Sequence, residues 1–275
     1  MIKSPLRYPG GKSRAIPFLS RFIRPCSELR EVFFGGGSFS FYVAANFPEV
    51  RLQASDLNFE LYCFWQQLGS NPAALVQEIE KIYHQWKPGG EGKALFHTIL
   101  SRRDTDLSDL QRAADFFVLN RISFSGVVDS SGYSHASFEG RFTQSAIRRL
   151  KQAAEVAAGI SFYCEDFSYL INQPGEDVLL FLDPPYYNAT ASRLYGKNGL
   201  LHLRFDHEGL YRSLLRTKHH WLLTYDNSPF IRERYKDFYC LPWSLQYGMT
   251  NSQSEHGNEL LISNYDIRAV MASGK

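Results

Sequence analysis

The sequence predicts an α/β protein: a mixed, mostly parallel sheet with helices on both faces, interrupted by a helical and hairpin insertion. Three observations carry that expectation. Residues 178–182, Val-Leu-Leu-Phe-Leu, form an apolar run of strand length, as a parallel strand covered on both faces requires. A short apolar run at 31–34 opens into Gly35-Gly36-Gly37 and then an amphipathic stretch ending near Asn46, the order strand, glycine turn, helix. Between Asp56 and Asp183 lie roughly 120 residues, too many for a single crossover, so the chain must carry an insertion there.

Taken in order, the N-terminal Leu6-Arg-Tyr-Pro-Gly-Gly-Lys12 reads as a turn flanked by an aromatic and a lysine. Strands are expected at 31–34, 52–55, 160–164, 178–182, 221–225 and 259–264. Residues 59–118 are helical in character, with apolar residues at three and four spacing in 75–83, 94–100 and 109–119 and a break at Pro88-Gly89-Gly90. Those apolar stripes are core and carry no chemistry. Residues 122–142 are rich in Ser and Gly with little periodicity and read as a loop or hairpin. Residues after 265 read as a frayed tail.

The chemistry concentrates where the 178–182 run stops. Asp183-Pro184-Pro185-Tyr186 cannot continue a ladder, so the chain leaves the sheet at Asp183, at the carboxyl end where open α/β sheets bind ligands. An ordinary strand-to-loop turn would use Asp and Pro too. The four groups nevertheless suit methyl transfer to an exocyclic amine. The Asp183 carboxylate and the Pro184 carbonyl would take the amine hydrogens, Tyr186 would stack on the base, and Pro184 and Pro185 would fix the turn.

The glycine turn is weak evidence alone. Asp56 follows in Ser55-Asp-Leu-Asn58, about twenty residues on, where an acid can grip ribose hydroxyls or cap the next helix. Gly35-Gly36-Gly37 does not match G-x-G-x-x-G, and a nicotinamide site leaves Asp183 to Tyr186 without a role. S-adenosylmethionine, with a ribose and no pyrophosphate, fits better.

The order Tyr-Pro-Gly-Gly-Lys, Phe-Gly-Gly-Gly, Ser-Asp-Leu-Asn and Asp-Pro-Pro-Tyr resembles the Dam-like class of DNA adenine-N6 methyltransferases over nearly the whole chain. Asn120-Arg-Ile-Ser-Phe-Ser-Gly126 with Phe138-Glu-Gly-Arg-Phe142 is similar to the two ends of that family's DNA-reading hairpin. Phe162-Tyr-Cys-Glu-Asp-Phe167 is similar to its adenine-contacting strand end, and Glu259-Leu-Leu-Ile-Ser-Asn-Tyr265 to its C-terminal strand.

The resemblance implies a Rossmann-like S-adenosylmethionine-dependent methyltransferase sheet from residues 1–58 and 150–265, a target-recognition insertion at 59–149 and a tail at 266–275. It implies Tyr8 and Lys12 over the cofactor, Lys12 facing its carboxylate. Phe34, Gly35 and Gly37 would cradle it, Asp56 would take the ribose, and Asp166 and Phe167 the adenine. Asp183, Pro184, Pro185 and Tyr186 would hold the flipped adenine, and Asn120, Arg121, Ser125 and Arg141 would meet DNA. The chain departs from the family in Ser125-Gly-Val-Val-Asp-Ser-Ser-Gly132 and in the polar 250–258 segment, so a GATC target is not implied. Cytosine-N4 transfer, an RNA substrate and a non-catalytic DNA-binding regulator are the alternatives. Asp before Pro-Pro-Tyr argues for adenine, the long insertion for duplex DNA, and the intact motifs for an enzyme.

The formal charge of +2 is only mildly basic but unevenly distributed. Residues 1–30 hold seven basic side chains against Glu28 alone, and Arg193, Lys197, Arg204, Arg212, Arg216 and Lys218 oppose only Asp206 and Glu208. Such clusters suit a phosphate backbone, although 212–218 also reads as a solvated helix face. Four scattered cysteines fit reduced thiols in a cytoplasm, and neither they nor the eight histidines show metal spacing. No signal peptide or transmembrane run is expected. Related enzymes usually act as monomers, and an accompanying restriction enzyme is a matter of neighbouring genes.

Overall fold

The computed structural model describes residues 3–8, 10–128, 131–188, 205–244 and 259–273. Among them, seven strands form one sheet: β1 (Glu28–Glu31), β2 (Arg51–Ser55), β3 (Ile160–Tyr163), β4 (Val178–Leu182), β5 (His220–Asp226), β6 (Tyr239–Trp243) and β7 (Glu259–Ser263). Their order is β3-β2-β1-β4-β5-β7-β6. The first five of that order are parallel, while β7 runs antiparallel to β5 and β6 antiparallel to β7. Strand order reverses between β1 and β4, and ligands of open α/β sheets bind at the carboxyl ends beside such a switch.

β4 shows why a continuous apolar run reads as a doubly covered strand. Leu179 and Phe181 join the core on one face, and Val178, Leu180 and Leu182 join the core on the other. Phe181 stacks on Phe39 of the helix after the glycine turn, with ring centroids 3.8 Å apart. That helix is α2 (Ser38–Asn46), preceded by the short α1 (Ile16–Leu19).

The first strand lies earlier than 31–34, because its sequence Glu-Leu-Arg-Glu hides it. Buried polar groups are tolerated when paired. Arg30, 1% exposed, donates to Glu28 at 2.5 Å and to the carbonyls of Leu170, Gln173 and Pro174. β6 contains Pro242, which removes a ladder donor, and it sits at the sheet edge where that is tolerated.

Residues 59–118 are helical as expected, in α3 (Phe59–Ser70), α4 (Pro72–Trp86), α5 (Gly92–Arg102) and α6 (Asp109–Ile122); α7 (His135–Arg141) and α8 (Gln144–Ala157) follow, and α8 runs across the boundary expected between 149 and 150. Ser108 and Gln111 form a reciprocal capping box that starts α6. The expected hairpin is reduced to one antiparallel bridge, Ser123 to Tyr133, and α7 occupies much of the rest. Ser134 caps α7 by accepting from the Ser137 N–H, a signal the Ser/Gly-rich composition masks. Trp65 of α3 packs against Phe34 and Phe162, so the insertion shares one core with the sheet.

The tail also differs from expectation. Ile267–Ser273 is helical, Ile267 is buried, and the Tyr265 hydroxyl donates to the Phe22 carbonyl at 2.8 Å. No helix of the described residues is long and apolar enough to cross a membrane.

Candidate active site

The glycine turn is shaped by what lies on it. Gly35 and Gly37 have φ of +48° and +66°, and a Cβ on Gly35 would stand 2.7 Å from the Tyr8 ring. Tyr8 therefore covers the turn. Phe34 is buried against Trp65 and Phe162, so its backbone and not its ring is left for a ligand. Asp56 ties two strand tips together, one oxygen accepting from the Gly35 N–H at 2.9 Å and the other from the Asn58 N–H at 3.0 Å. Asn58, not Asp56, caps α3. Asp166 is exposed and caps the helix Phe167–Asn172. The Phe167 ring lies 6.2 Å from Phe33 and 5.8 Å from Phe205, which leaves an aromatic rim beside Asp166.

At the β4 tip, Asp183 Oδ1 accepts from the Thr224 hydroxyl at 2.7 Å and pairs with the Lys12 ammonium at 2.9 Å. Oδ2 takes no hydrogen bond among the described residues. Lys12 is 6% exposed, 4.8 Å from the Tyr186 ring centre and 3.9 Å from Glu259. Two acids of the sheet edge, the half-buried Asp183 and the buried Glu259, thus lie beside its ammonium. The Tyr186 hydroxyl donates to Glu259 at 2.6 Å, and the Tyr187 N–H to Asp226 at 2.7 Å. Pro184 is buried and Pro185 half-buried in the turn.

Sequence reading gives no role to Glu31, Thr224, Asp226 and Glu259. Their signal is positional. Glu31 ends β1, Asp226 ends β5, Glu259 begins the antiparallel β7, and Asp56 and Asp183 follow β2 and β4, so one sheet edge carries five carboxyl groups. Burial pushes Glu31 up to about 8, with Asp183 and Asp56 adding to the shift and hydrogen bonds from Ser40 opposing it. Burial likewise raises Asp56 and Glu259, and it raises the Tyr186 hydroxyl well above its ordinary value.

Glu31 makes stability pH-dependent in a stated direction. Its folded pKa of about 8 exceeds the ordinary 4.5, so between those values the folded chain keeps a proton that the unfolded chain has lost. Stability falls as pH rises through that window, by about 1 kcal/mol per pH unit. Below the window the term is constant. Glu31→Gln is expected to flatten this slope, which urea unfolding at pH 5.5 and 8 would measure; a slope equal to wild type would refute the assignment.

The four expected DNA contacts separate. Asn120 is 1% exposed and spends its amide internally, accepting from the Arg7 N–H and donating to the carbonyls of Arg7 and Gly126. It fastens the N-terminal segment to the loop and is not presented as a DNA contact. Arg121 is 5% exposed over the Phe117 ring, and its Nε lacks a hydrogen bond among the described residues. Burial, with Arg149, Arg7 and Arg141 nearby, lowers its pKa to about 9. Ser125, at φ +53°, and Arg141 are exposed, and beside Ser125 the Phe124 ring is 57% exposed. Arg193, Lys197, Arg204 and the 250–258 segment lie outside the described residues. Among those described, no cluster of three His, Cys, Asp or Glu side chains could hold a metal.

A parallel sheet with a reversed β7, a glycine turn after β1 and a proline-fixed acid after β4 define a Rossmann-like methyltransferase. The chain belongs to the family of D12 class N6 adenine-specific DNA methyltransferases, whose profile matches residues 8–249. It is similar to the DNA N-6-adenine-methyltransferase of Escherichia phage P1, 27% identical over 242 residues, covering 86% of this chain and 31% of that protein. The Type II methyltransferase M.MjaIII of Methanocaldococcus jannaschii is 22% identical over 211 residues, covering 70% and 72%. The modification methylase LlaI of Lactococcus lactis subsp. lactis is 24% identical over 203 residues, covering 72% and 32%. The chain thus spans about a third of the length of the phage and Lactococcus proteins.

Proposed function

We propose that the protein moves a methyl group from S-adenosylmethionine to the N6 amine of an adenine rotated out of duplex DNA. The observation that carries this reading is the Asp183 carboxylate beside the Tyr186 ring, with one oxygen fixed by Lys12 and Thr224 and the other without a hydrogen bond among the described residues. Adenine N6 is a weak nucleophile because its lone pair is delocalised into the ring. Asp183 Oδ2 and the Pro184 carbonyl would accept its hydrogens and favour a pyramidal nitrogen. Positive charge grows on that nitrogen during transfer, and an acceptor already fixed in place meets it without reorganisation. Asp183 then takes the surplus proton. Rotating the base out costs about a few kcal/mol, part of which stacking on Tyr186 offsets.

S-adenosylmethionine supplies an electrophilic methyl on a cationic sulfur. The residues that would hold it are the Phe34, Gly35 and Gly37 backbone under Tyr8, Asp56 at the ribose, and Asp166 with Phe167 at the adenine. A carboxylate has about four lone-pair sites, so Asp56 can keep its two N–H donors and still accept from hydroxyls. An edge lined with acids suits a cationic donor.

DNA contact is supported by the arginine group Arg7, Arg121, Arg141 and Arg149, none of which pairs with a carboxylate among the described residues. The exposed Phe124 ring in the turn after α6 suits stacking against bases. Arg141→Ala is expected to weaken DNA binding about tenfold at low salt and to reduce the salt slope by about one, with cofactor affinity unchanged. A salt titration that gives the wild-type slope would remove Arg141 from the interface.

The reading as a whole is tested by incubating genomic DNA with the purified chain and S-adenosylmethionine, then sequencing single molecules for modified bases. Adenine marks confined to one short motif are expected. Unmodified DNA under conditions where calorimetry shows the cofactor bound would overturn the reading.

A further inference from the structure

The geometry points to Glu259 as a positioning residue for methyl transfer, one that fixes the Tyr186 ring through its hydroxyl and shares the Lys12 ammonium with Asp183. This rests on the function proposed above. Glu259 opens β7 directly opposite Asp226 of β5 and Trp243 of β6, and it is 6% exposed. A buried carboxylate on a strand is costly unless its partners use it. Its Oε2 accepts from the Tyr186 hydroxyl at 2.6 Å and stands 3.9 Å from Lys12 Nζ, which in turn stands 2.9 Å from Asp183.

Each contact has a consequence for the reaction. A stacking ring is useful only if its plane is set, and the bond from its hydroxyl stops rotation of the Tyr186 side chain. Lys12 between two acids is attracted to both. Neutralising Glu259 would leave its share of the ammonium charge to Asp183, the acceptor that must answer the positive charge growing on N6. Glu259 thus acts through Tyr186 and Lys12 and touches no reacting atom.

The groups facing Glu259 are Lys12, Asp183, Tyr186 and, across the strand pair, Asp226. Burial raises its pKa, and the Lys12 and Tyr186 contacts oppose that shift. As pH falls, Glu259 therefore gains its proton above the usual carboxylate range, and the transfer rate should begin to fall there.

The test is single-turnover methylation of duplex DNA across pH by wild type, Glu259→Gln and Tyr186→Phe. Glu259→Gln keeps the volume and an acceptor oxygen and removes the charge. It is expected to lower the rate by about 10- to 100-fold, with DNA and cofactor affinities within about threefold of wild type. Its acid limb should move to lower pH, and adding Tyr186→Phe should cost less in the Gln variant than in wild type. A wild-type rate and acid limb in Glu259→Gln would overturn the role. Should that variant not fold, Tyr186→Phe alone decides, since an unchanged rate and acid limb there remove the contact on which positioning depends. Wild type that methylates no DNA would instead sink the proposed function, so the two failures are distinguishable.

Discussion

Asp183→Ala should abolish methyl transfer, lowering the single-turnover rate by about a thousandfold or more, the size expected for losing a preorganised electrostatic group. The carboxylate is held from two sides, by Thr224 of β5 and by Lys12, so its position does not depend on the substrate arriving. Truncation also strips the 6% exposed Lys12 of its nearest acid, the next being Glu259 at 3.9 Å. Part of any loss from Ala is therefore loss of fold, because an ammonium with fewer partners stays buried.

Asp183→Asn separates the two effects. The amide keeps the volume and an oxygen for Thr224, yet loses the negative charge that opposes the one growing on N6. It should bind cofactor and DNA nearly as wild type and remain at least about a hundredfold slower. Rate, calorimetric cofactor affinity and DNA affinity measured on both variants check this. An Asn variant that methylates within about threefold of wild type would remove Asp183 from the chemistry.

The parts of the molecule legible in sequence are those whose residues answer to one requirement. β4 is buried on both faces and reads as an unbroken apolar run, and its end is marked by two prolines. α4 and α5 bury one face each, and apolar spacing follows, whereas α6 is buried all round from Ala113 to Ile122. Where two requirements compete, the pattern fails. β1 is covered throughout but carries Glu28 and Arg30, since a charged pair that satisfies its own bonds can replace apolar residues. α7 stands among Ser and Gly because its capping serine and small residues also spell a loop.

The site divides the same way. Asp183 and the glycine turn lie in contiguous motifs. Thr224, Asp226 and Glu259 reach the same edge from β5 and β7, and only the antiparallel register sets Asp226 against Glu259. Spacing along the chain cannot supply that register, nor the reach of Lys12 from the N-terminal turn to the β4 tip. Asn120 shows the converse. Its residue type suits DNA, but burial commits its amide to Arg7 and Gly126.

Gly37→Ala should damage fold and cofactor site together, more than any exposed glycine substitution. Gly37 holds φ at +66°, and a Cβ there would run into the Phe34 ring. The left-handed conformation alone costs a residue with a Cβ about 1–2 kcal/mol. Phe34 cannot give way, since Trp65 and Phe162 pack against its ring at 5.1 and 5.2 Å. The turn must then open, and Gly37 is also the residue from which α2 starts. A loss of about 3 kcal/mol would lower Tm by roughly 5–10 °C. Cofactor affinity should fall about tenfold or more if the Gly35 and Gly37 backbone is the cradle. Gly140 in α7 is the control, because a Cβ there meets nothing within 4 Å among the described residues and alanine favours the helix. If Gly37→Ala matched Gly140→Ala in Tm and in calorimetric affinity for S-adenosylmethionine, the turn would be neither strained nor part of the cofactor site.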